Sequence, residues 1–300
     1  MPAVISIDDT IAAIDHDLFG MPGIGVTYIV RGDAGRVALI EAGTSLTAPA
    51  TLAGLDQLGI PRQAVRFIIC THIHMDHAGG AGLLAEALPN ADVYINSTTA
   101  QFLVDPGKLL SSTRRAVGEA LWPLQGSIQP LPPTRLRPAE ALQLDLGRGV
   151  TLRAIISPGH SADHIAFFAE HSGALFAGDS CGVAMPRYGI EPRPVTPPPG
   201  FDLAAQIATY ERLRALPFQH LLVTHCGPVE GGAAALARQH QHLLAAAEAV
   251  GAAVARGDLD VAALAAQLFP AADHPVLRVW SEMSVAGIAR YFRNQQRSET

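Results

Sequence analysis

The sequence lacks the features that mark nucleic-acid-binding and membrane proteins. It has no run of basic residues, and its net charge at pH 7 is −6. Because binding to a phosphate backbone relies on clustered lysine and arginine, we predict no nucleic-acid partner. A membrane span needs about 18 or more apolar residues in succession. Charged and polar side chains interrupt the longest candidate, the alanine-rich stretch 233–255. We therefore predict no membrane partner.

The sequence also shows no signal-peptide pattern and contains few cysteines. The first residues carry neither a basic segment nor an apolar one, so they do not resemble a signal peptide. The three cysteines, Cys70, Cys181 and Cys226, leave at least one thiol unpaired, which is typical of a reducing compartment. We predict a cytoplasmic protein in which these cysteines serve packing.

The remaining composition is that of a globular enzyme-sized chain. Its 300 residues are 49% hydrophobic, enough for one large domain or for a domain with an extension. Strands are predicted at 65–70, 92–95, 150–156 and 220–224, and helices at 46–58, 82–88 and 202–215. This alternation is typical of layered α/β proteins.

The most informative segment is Thr-His-Ile-His-Met-Asp-His at residues 71–77, directly after an apolar run. Neutral imidazole and ionised carboxylate are preferred ligands of Zn²⁺ and similar ions. If the segment is extended, side chains two apart share a face, so that His72, His74 and Asp76 converge while His77 points elsewhere. One loop could then supply two adjacent metal ions.

Three more candidate ligands stand where an apolar run meets a glycine-containing turn. Ser-Pro-Gly-His-Ser presents His160, Leu-Phe-Ala-Gly-Asp presents Asp179, and Leu-Leu-Val-Thr-His-Cys-Gly-Pro presents His225. Loops carried on a rigid scaffold are the usual place for functional side chains. These residues therefore complete a candidate metal site.

Taken in order, the motifs HxHxDH, PGH, GD and THxGP resemble the metallo-β-lactamase-fold hydrolase superfamily over roughly residues 20–230. The resemblance implies an αββα sandwich of the α/β (α+β) class with a dinuclear site at the sheet edges. It implies two divalent ions, Zn²⁺ first and Fe²⁺ or Mn²⁺ as alternatives, with a water or hydroxide between them as nucleophile. The implied ligands are His72, His74 and His160 for one ion, Asp76, His77 and His225 for the other, and Asp179 as the bridge.

The resemblance also narrows the activity. Asp76 and Asp179 are the implied catalytic carboxylates, and Asp76 could take a proton for the leaving group. The block Gly-His-Ser-Ala-Asp-His-Ile-Ala-Phe-Phe at 159–168 is similar to glyoxalase-II-like thioesterases. We therefore predict a hydrolase for a thioester or ester of a small acyl substrate. The best-known β-lactamase branches carry Cys or Ser in place of Asp179, which disfavours antibiotic hydrolysis.

Other activities remain as alternatives. A lactonase or a phosphodiesterase could use the same site, although acyl-homoserine lactonases place a tyrosine where this chain has Gly182. A mononuclear iron persulfide dioxygenase would contain one iron per chain. A regulatory binding protein would keep the fold and the metals and act by binding.

Several residues near the candidate ligands are predicted to support them or to line the substrate site. His164, beside Asp163, is a candidate for a supporting or substrate-side role. The stretch 185–200 contains six prolines, so we predict a stiff loop that walls the site. Tyr188, Phe201 and Trp122 are the candidate wall groups. The histidines outside the motifs, His16 among them, are assigned to solvent or packing.

We predict a catalytic domain at 1–230 and a helical C-terminal extension at 231–300 that packs on it. Residues 276–292 carry apolar side chains at helical spacing. This extension could cap the substrate pocket, form the interface of a homodimer, or pack onto its own core.

Overall fold

The computed structural model describes residues 1–33 and 35–298. Ala34, and Glu299 and Thr300 at the end of the predicted extension, lie outside the described residues.

Within the described residues, the first sheet has seven strands that lie side by side in chain order. They are β1 (Ala3–Ser6), β2 (Ile11–Asp15), β3 (Val26–Arg31), β4 (Val37–Ile40), β5 (Val65–Ile69), β6 (Asp92–Ile95) and β7 (Leu136–Pro138). Strands β1 to β4 pair antiparallel, and β4 to β7 pair parallel. The parallel half brings the carboxyl ends of β4 and β5 to the same edge.

The second sheet, as far as the structure describes the chain, has six strands in the order β15-β14-β11-β10-β9-β8. They are β8 (Gln143–Asp145), β9 (Thr151–Ile156), β10 (Ile165–Ala169), β11 (Ala174–Gly178), β14 (His220–Val223) and β15 (Gly227–Val229). Because β10 pairs antiparallel with both β9 and β11, and β14 pairs parallel with β11, strands β9, β11 and β14 end at one edge. A small hairpin of β12 (Val183–Met185) and β13 (Ile190–Arg193) lies outside this sheet.

Helices cover the outer faces of both sheets. They are α1 (Ala48–Gln57), α2 (Met75–Ala78), α3 (Ala81–Ala87), α4 (Gln101–Val104), α5 (Gly107–Leu121), α6 (Leu203–Arg214), α7 (Gly232–Arg256), α8 (Val261–Leu268) and α9 (Pro275–Ser298). Residues of α1 and α3 share a buried cluster with the first sheet, and residues of α6, α7 and α9 share one with the second. The predicted αββα sandwich with C-terminal helices is confirmed.

The two sheets pack against each other through alternate residues of their strands. Val26, Tyr28 and Val30 of β3 point into this layer, where the rings of Tyr28 and Phe176 lie 5.3 Å apart. The Tyr28 hydroxyl donates a hydrogen bond to the carbonyl oxygen of Val223 at 2.6 Å. This bond ties the first sheet to the end of β14, beside the candidate ligands.

The proline-rich stretch 185–200 contains more regular structure than the sequence predicts. It includes a 3-10 turn at Pro186–Tyr188 and strand β13, which closes the hairpin with β12. Prolines are compatible with this arrangement because a two-stranded hairpin has free edges that need no amide hydrogen. Among the described helices, none is long and apolar enough to cross a membrane.

Candidate metal centre

The ligand loop after β5 is extended only as far as His74. Helix α2 begins at Met75, and its turn places the His77 ring beside that of His72, with the ring centroids 4.1 Å apart. The expectation that His72, His74 and Asp76 share one face while His77 points elsewhere is therefore wrong, because the extended segment ends before Asp76. The turn instead distributes the four residues of the loop over three ligand groups.

The other three candidates come from the ends of β9, β11 and β14, at the same edge of the second sheet. The edges of the two sheets are held together here, since the amide of Ile165 donates to the Thr71 carbonyl at 2.8 Å. Likewise, the amide of Val26 donates to the Thr224 carbonyl at 3.1 Å. The loops that carry His160, Asp179 and His225 consequently face the loop that carries His72.

The seven residues form three overlapping groups whose ligand atoms all lie within 4.8 Å of one another in each group. The groups are His72 with His74 and His160, His72 with His77 and Asp179, and Asp76 with His77 and His225. Asp179 lies between the sets: its Oδ2 is 3.5 Å from Nε2 of both His77 and His160, and its Oδ1 is 3.5 Å from His225 Nε2.

The ring nitrogens are oriented for binding a cation. Four histidines place Nδ1 against an outer oxygen: His72 against Thr71 Oγ1, His77 against Glu41 Oε1, His160 against the Val195 carbonyl and His225 against the Ile24 carbonyl. With the proton on Nδ1, each Nε2 is a lone-pair donor directed at the cluster. His77 Nε2 and Asp179 Oδ1 are buried and make no hydrogen bond within the described residues. This donor set fits divalent ions such as Zn²⁺.

Burial and mutual proximity set the protonation of the cluster. Burial lowers the pKa of His72 well below its ordinary value, and it lowers the pKa of His160 to about 4. Burial acts to raise the pKa of Asp179, but the neighbouring imidazoles His225 and His77 outweigh it and hold that pKa well below its usual range. Neutral imidazole and ionised carboxylate are the forms that bind metals.

His77 differs from the other imidazoles. Burial acts to lower its pKa, but Asp179, Glu41 and Asp76 outweigh burial and raise the pKa well above the ordinary value. The three carboxylates therefore favour a positive charge at this ring. A proton on the ring supplies this positive charge, and a metal ion bound at Nε2 would supply it as well.

Glu41 is a supporting residue that the sequence reasoning missed. It is 1% exposed and follows β4 directly. Its Oε1 accepts hydrogen bonds from His77 Nδ1 at 2.9 Å, Thr71 Oγ1 at 2.7 Å and Thr224 Oγ1 at 2.8 Å. One carboxylate thus orients the loops after β5 and β14.

His164 and Asp163 lie behind the ligands. His164 Nε2 accepts from the amides of Asp179 at 3.1 Å and Ser180 at 3.3 Å, so it positions the backbone of Asp179. Asp163 accepts from the amide of Ile73 at 2.9 Å and from Thr99 Oγ1 at 3.0 Å. Neither side chain is among those that line the cleft described next.

The ligand groups open into a cleft of about 860 Å³, a volume that includes space open to solvent. One wall is α5, another is α9, and residues 197–199 form a third. The proline-rich stretch thus contributes its final prolines to the site. The lining side chains beyond the ligands include Leu109, Ser112, Thr113 and Val117 of α5 and Trp280, Met283 and Ser284 of α9.

The three aromatic wall candidates lie outside this lining. The Tyr188 hydroxyl donates to the Pro22 carbonyl at 2.8 Å, which holds the ring against the loop after β2. Trp122 packs against the core of the first sheet. Phe201 is buried beside Tyr291, with ring centroids 6.4 Å apart. In their place α9 supplies Trp280, whose ring lies 4.8 Å from that of His225.

Comparison with known families agrees with this geometry. The sequence profile of the Metallo-beta-lactamase superfamily matches residues 20–225. The chain belongs to that superfamily of hydrolases, whose members usually bind metal ions.

Individual relatives are distant. The metallo-beta-lactamase fold-containing protein ST1585 of Sulfurisphaera tokodaii is 31% identical over 183 residues, which are 59% of this chain and 63% of the relative. An atrochrysone carboxyl ACP thioesterase of Aspergillus fumigatus is 29% identical over 154 residues, which are 51% of this chain and 28% of the relative. The chain thus matches less than two thirds of the length of these relatives.

Solved structures show the same fold at lower identity. The crystal structure of the archaeal superfamily protein ST1585 has a TM-score of 0.70 and 22% identity, covering 93% of this chain and 98% of that one. A beta-lactamase domain protein from Burkholderia ambifaria also has a TM-score of 0.70, with 20% identity over 100% of this chain and 90% of that one.

Proposed function

We propose that the protein is a dinuclear metal-dependent hydrolase that cleaves a thioester or ester of a small acyl substrate, with Zn²⁺ as the first candidate ion. The observation that carries the proposal is the overlap of the ligand groups, because His72 is shared by the first and second groups and His77 by the second and third. Two ions bound side by side would supply a hydroxide at neutral pH and polarise the substrate carbonyl. The thioesterase name of the Aspergillus relative supports the acyl substrate class.

The protein side chains have distinct tasks in this proposal. Asp179 would join the two ligand sets through its two oxygens. Asp76 is the ligand carboxylate that is partly exposed, at 17%, so it is placed to hold a proton for the leaving group. The apolar walls of the cleft would limit the access of water to the reacting bond.

The test begins with protein purified without chelator or affinity metal. Elemental analysis should find about two divalent ions per chain, in line with two-ion hydrolases. Thiol release from acyl N-acetylcysteamine thioesters, and the parallel ester and lactone assays, should then require that metal. A single iron with oxygen consumption on a persulfide would instead identify a dioxygenase, and no metal uptake at all would overturn the proposal.

Substitution separates ligands from other histidines. His72→Ala should abolish thioester hydrolysis and reduce the metal content, because His72 belongs to two of the three ligand groups. His171→Ala is the matched control, since His171 is exposed and lies at the far end of β10. A His72→Ala protein that keeps its metal and its activity contradicts the assignment.

A further inference from the structure

We propose that the cleft selects an uncharged, hydrophobic acyl group and that Trp280 on α9 is a specificity-determining residue for it. This inference rests on the proposed hydrolysis of thioesters or esters and adds the chemistry of the acyl group. It depends on three observations: the charges in the lining, the shape of the walls and the anchoring of α9.

Among the described residues, those that line the cleft include no lysine and no arginine, and their only carboxylates are Asp76 and Asp179 of the proposed ligand set. The cations of α5, among them Lys108 and Arg115, are exposed outside the cleft. Arg193 is buried near α9, but its guanidinium donates to the Pro270 carbonyl at 2.6 Å. A carboxylate or phosphate on the acyl group would therefore lose water without gaining a partner.

The walls offer apolar contact instead. Leu109 and Val117 project from α5, Met283 projects from α9, and residues 197–199 close the side between them. The polar lining groups outside the ligands are neutral hydroxyls and one amide, Gln125.

Trp280 stands where the acyl group meets the metal ligands. Its ring is 4.8 Å from the His225 ring and 5.9 Å from Phe19. Its helix is anchored to the proline-rich wall, because Thr196 Oγ1 donates to the Ser284 carbonyl at 2.7 Å. A half-buried aromatic ring on an anchored helix presents a fixed apolar surface to an acyl chain.

The first experiment compares two N-acetylcysteamine thioesters of similar length, one with a heptanoyl group and one with an adipoyl group that ends in a carboxylate. The metal-loaded enzyme should show a kcat/KM at least about 30-fold higher for the heptanoyl thioester, because the buried carboxylate has no partner. Equal values, or a preference for adipoyl, would overturn the inference.

Substitutions in the cleft identify which lining residues cause the preference for a neutral acyl group. Thr113→Lys places a cation in the lining and should reduce the heptanoyl-to-adipoyl ratio about tenfold. Ser111→Lys adds the same charge two residues away, outside the lining, and should leave the ratio unchanged.

Trp280→Ala should reduce the ratio of heptanoyl to acetyl turnover about tenfold, and Trp280→Phe should restore most of it. An unchanged ratio in Trp280→Ala would remove Trp280 from the proposal.

A binding measurement separates this inference from the proposed function. The fluorescence of Trp280, observed in a Trp122→Phe background, reports binding of the uncleaved amide analogues of the same two thioesters. Tighter binding of the neutral analogue by about tenfold or more supports the inference even if no thioester is hydrolysed. Equal binding contradicts it even if hydrolysis is observed.

Discussion

Glu41 connects two of the ligand loops through a single oxygen. Its Oε1 accepts from His77, Thr71 and Thr224, and the residue adopts a positive φ of 74°. A non-glycine residue in that region is strained, and the three hydrogen bonds hold it there. The pattern that predicts Asp179, an acid after an apolar run and near a glycine, also applies to Glu41 in Val37–Ile40 followed by Glu41 and Gly43.

Glu41→Gln should weaken metal binding by His77 and the residues grouped with it. The amide keeps the size of the side chain but loses the negative charge that orients His77 and increases its basicity. We expect metal affinity and hydrolysis to fall about 10- to 100-fold, as is usual for such supporting carboxylates. Metal titration measures this loss, with Glu86→Gln on the exposed surface of α3 as the control. Unchanged affinity would contradict the role of Glu41.

His16 is buried, at 3% exposure, where the sequence assigned it to solvent or packing. Neither ring nitrogen has a hydrogen-bond partner among the described residues. Burial lowers its pKa to about 3, with a further contribution from the nearby His225. Nothing in the local sequence indicates this, because the groups that enclose His16 come from distant segments around Gly25 and Gly43.

The low pKa of His16 links folding to pH. The unfolded chain binds a proton at His16 below pH 6.5, whereas the folded chain does so only near pH 3, so stability falls as the pH falls through this window. Removing the group with His16→Gln should reduce the pH dependence by up to about 1.4 kcal/mol per pH unit between pH 6 and 4. Urea unfolding of the chelated proteins measures the two slopes, and identical slopes would contradict the burial of His16.

At the scale of elements, the sequence predicts the helices and strands whose bounds are marked by hydrophobic periodicity or by a turn at the end of an apolar run. The strands at Val65–Ile69 and His220–Val223 and the helix Leu203–Arg214 lie within a residue or two of their expected bounds. Helix α2 is not predictable from its four residues, because a single helical turn has no periodicity. The early strands β1 and β2 were not predicted either, although Asp8 and Asp9 mark a turn between them, in which the Thr10 amide donates to Asp8 Oδ1.

The attachment of α9 depends on one glycine. A Cβ at Gly287 would overlap the Thr196 carbonyl oxygen, so only glycine lets the helix approach the proline-rich wall this closely. Gly287→Ala should displace α9 and destabilise the fold by about 1–3 kcal/mol, as overpacking does. It should also raise KM, because Trp280 and Met283 move with the helix.

Gly107→Ala is the matched control for this prediction. Gly107 begins α5, and a Cβ there would approach nothing closer than Asp105 Oδ1 at 3.5 Å. Its unfolding free energy should therefore be close to that of the unaltered protein. Denaturant unfolding and the KM for a neutral thioester together distinguish a displaced helix from a general loss of stability. A Gly287→Ala protein with normal stability and normal KM would show that α9 is not held by this contact.

At the scale of the whole molecule, the site exists only where the two sheets meet. The candidate ligands come from four strand ends spread over more than 150 residues, from His72 to His225. The order of motifs identifies these ligands, but the cleft walls come from α5 and α9, whose sequences carry no motif. Amphipathic periodicity predicts that such helices pack, but it does not indicate which surface they cover. For this reason Trp280 could not be chosen over Trp122 from the sequence.

Metal removal should weaken the whole fold and not the site alone. Without a cation, the buried Asp179 and the partly buried Asp76 both face His225 Nε2, at 3.5 and 3.6 Å, and their repulsion acts directly between the two sheets. An ion present at about 100 times its Kd stabilises the folded state by about 2.7 kcal/mol. Chelation should therefore lower the Tm by roughly 4 °C for each ion removed from a chain of this size.

Asp179→Asn is the variant that makes the Tm experiment specific. It removes one of the two carboxylates and the bridge between the ligand sets, so chelation should shift its Tm far less than that of the unaltered protein. Added Zn²⁺ should restore the Tm of the chelated protein but not that of the variant. Equal shifts in the two proteins would show that the ions stabilise some other part of the molecule, whereas a shift confined to the intact ligand set ties the stability of the sandwich to its metal centre.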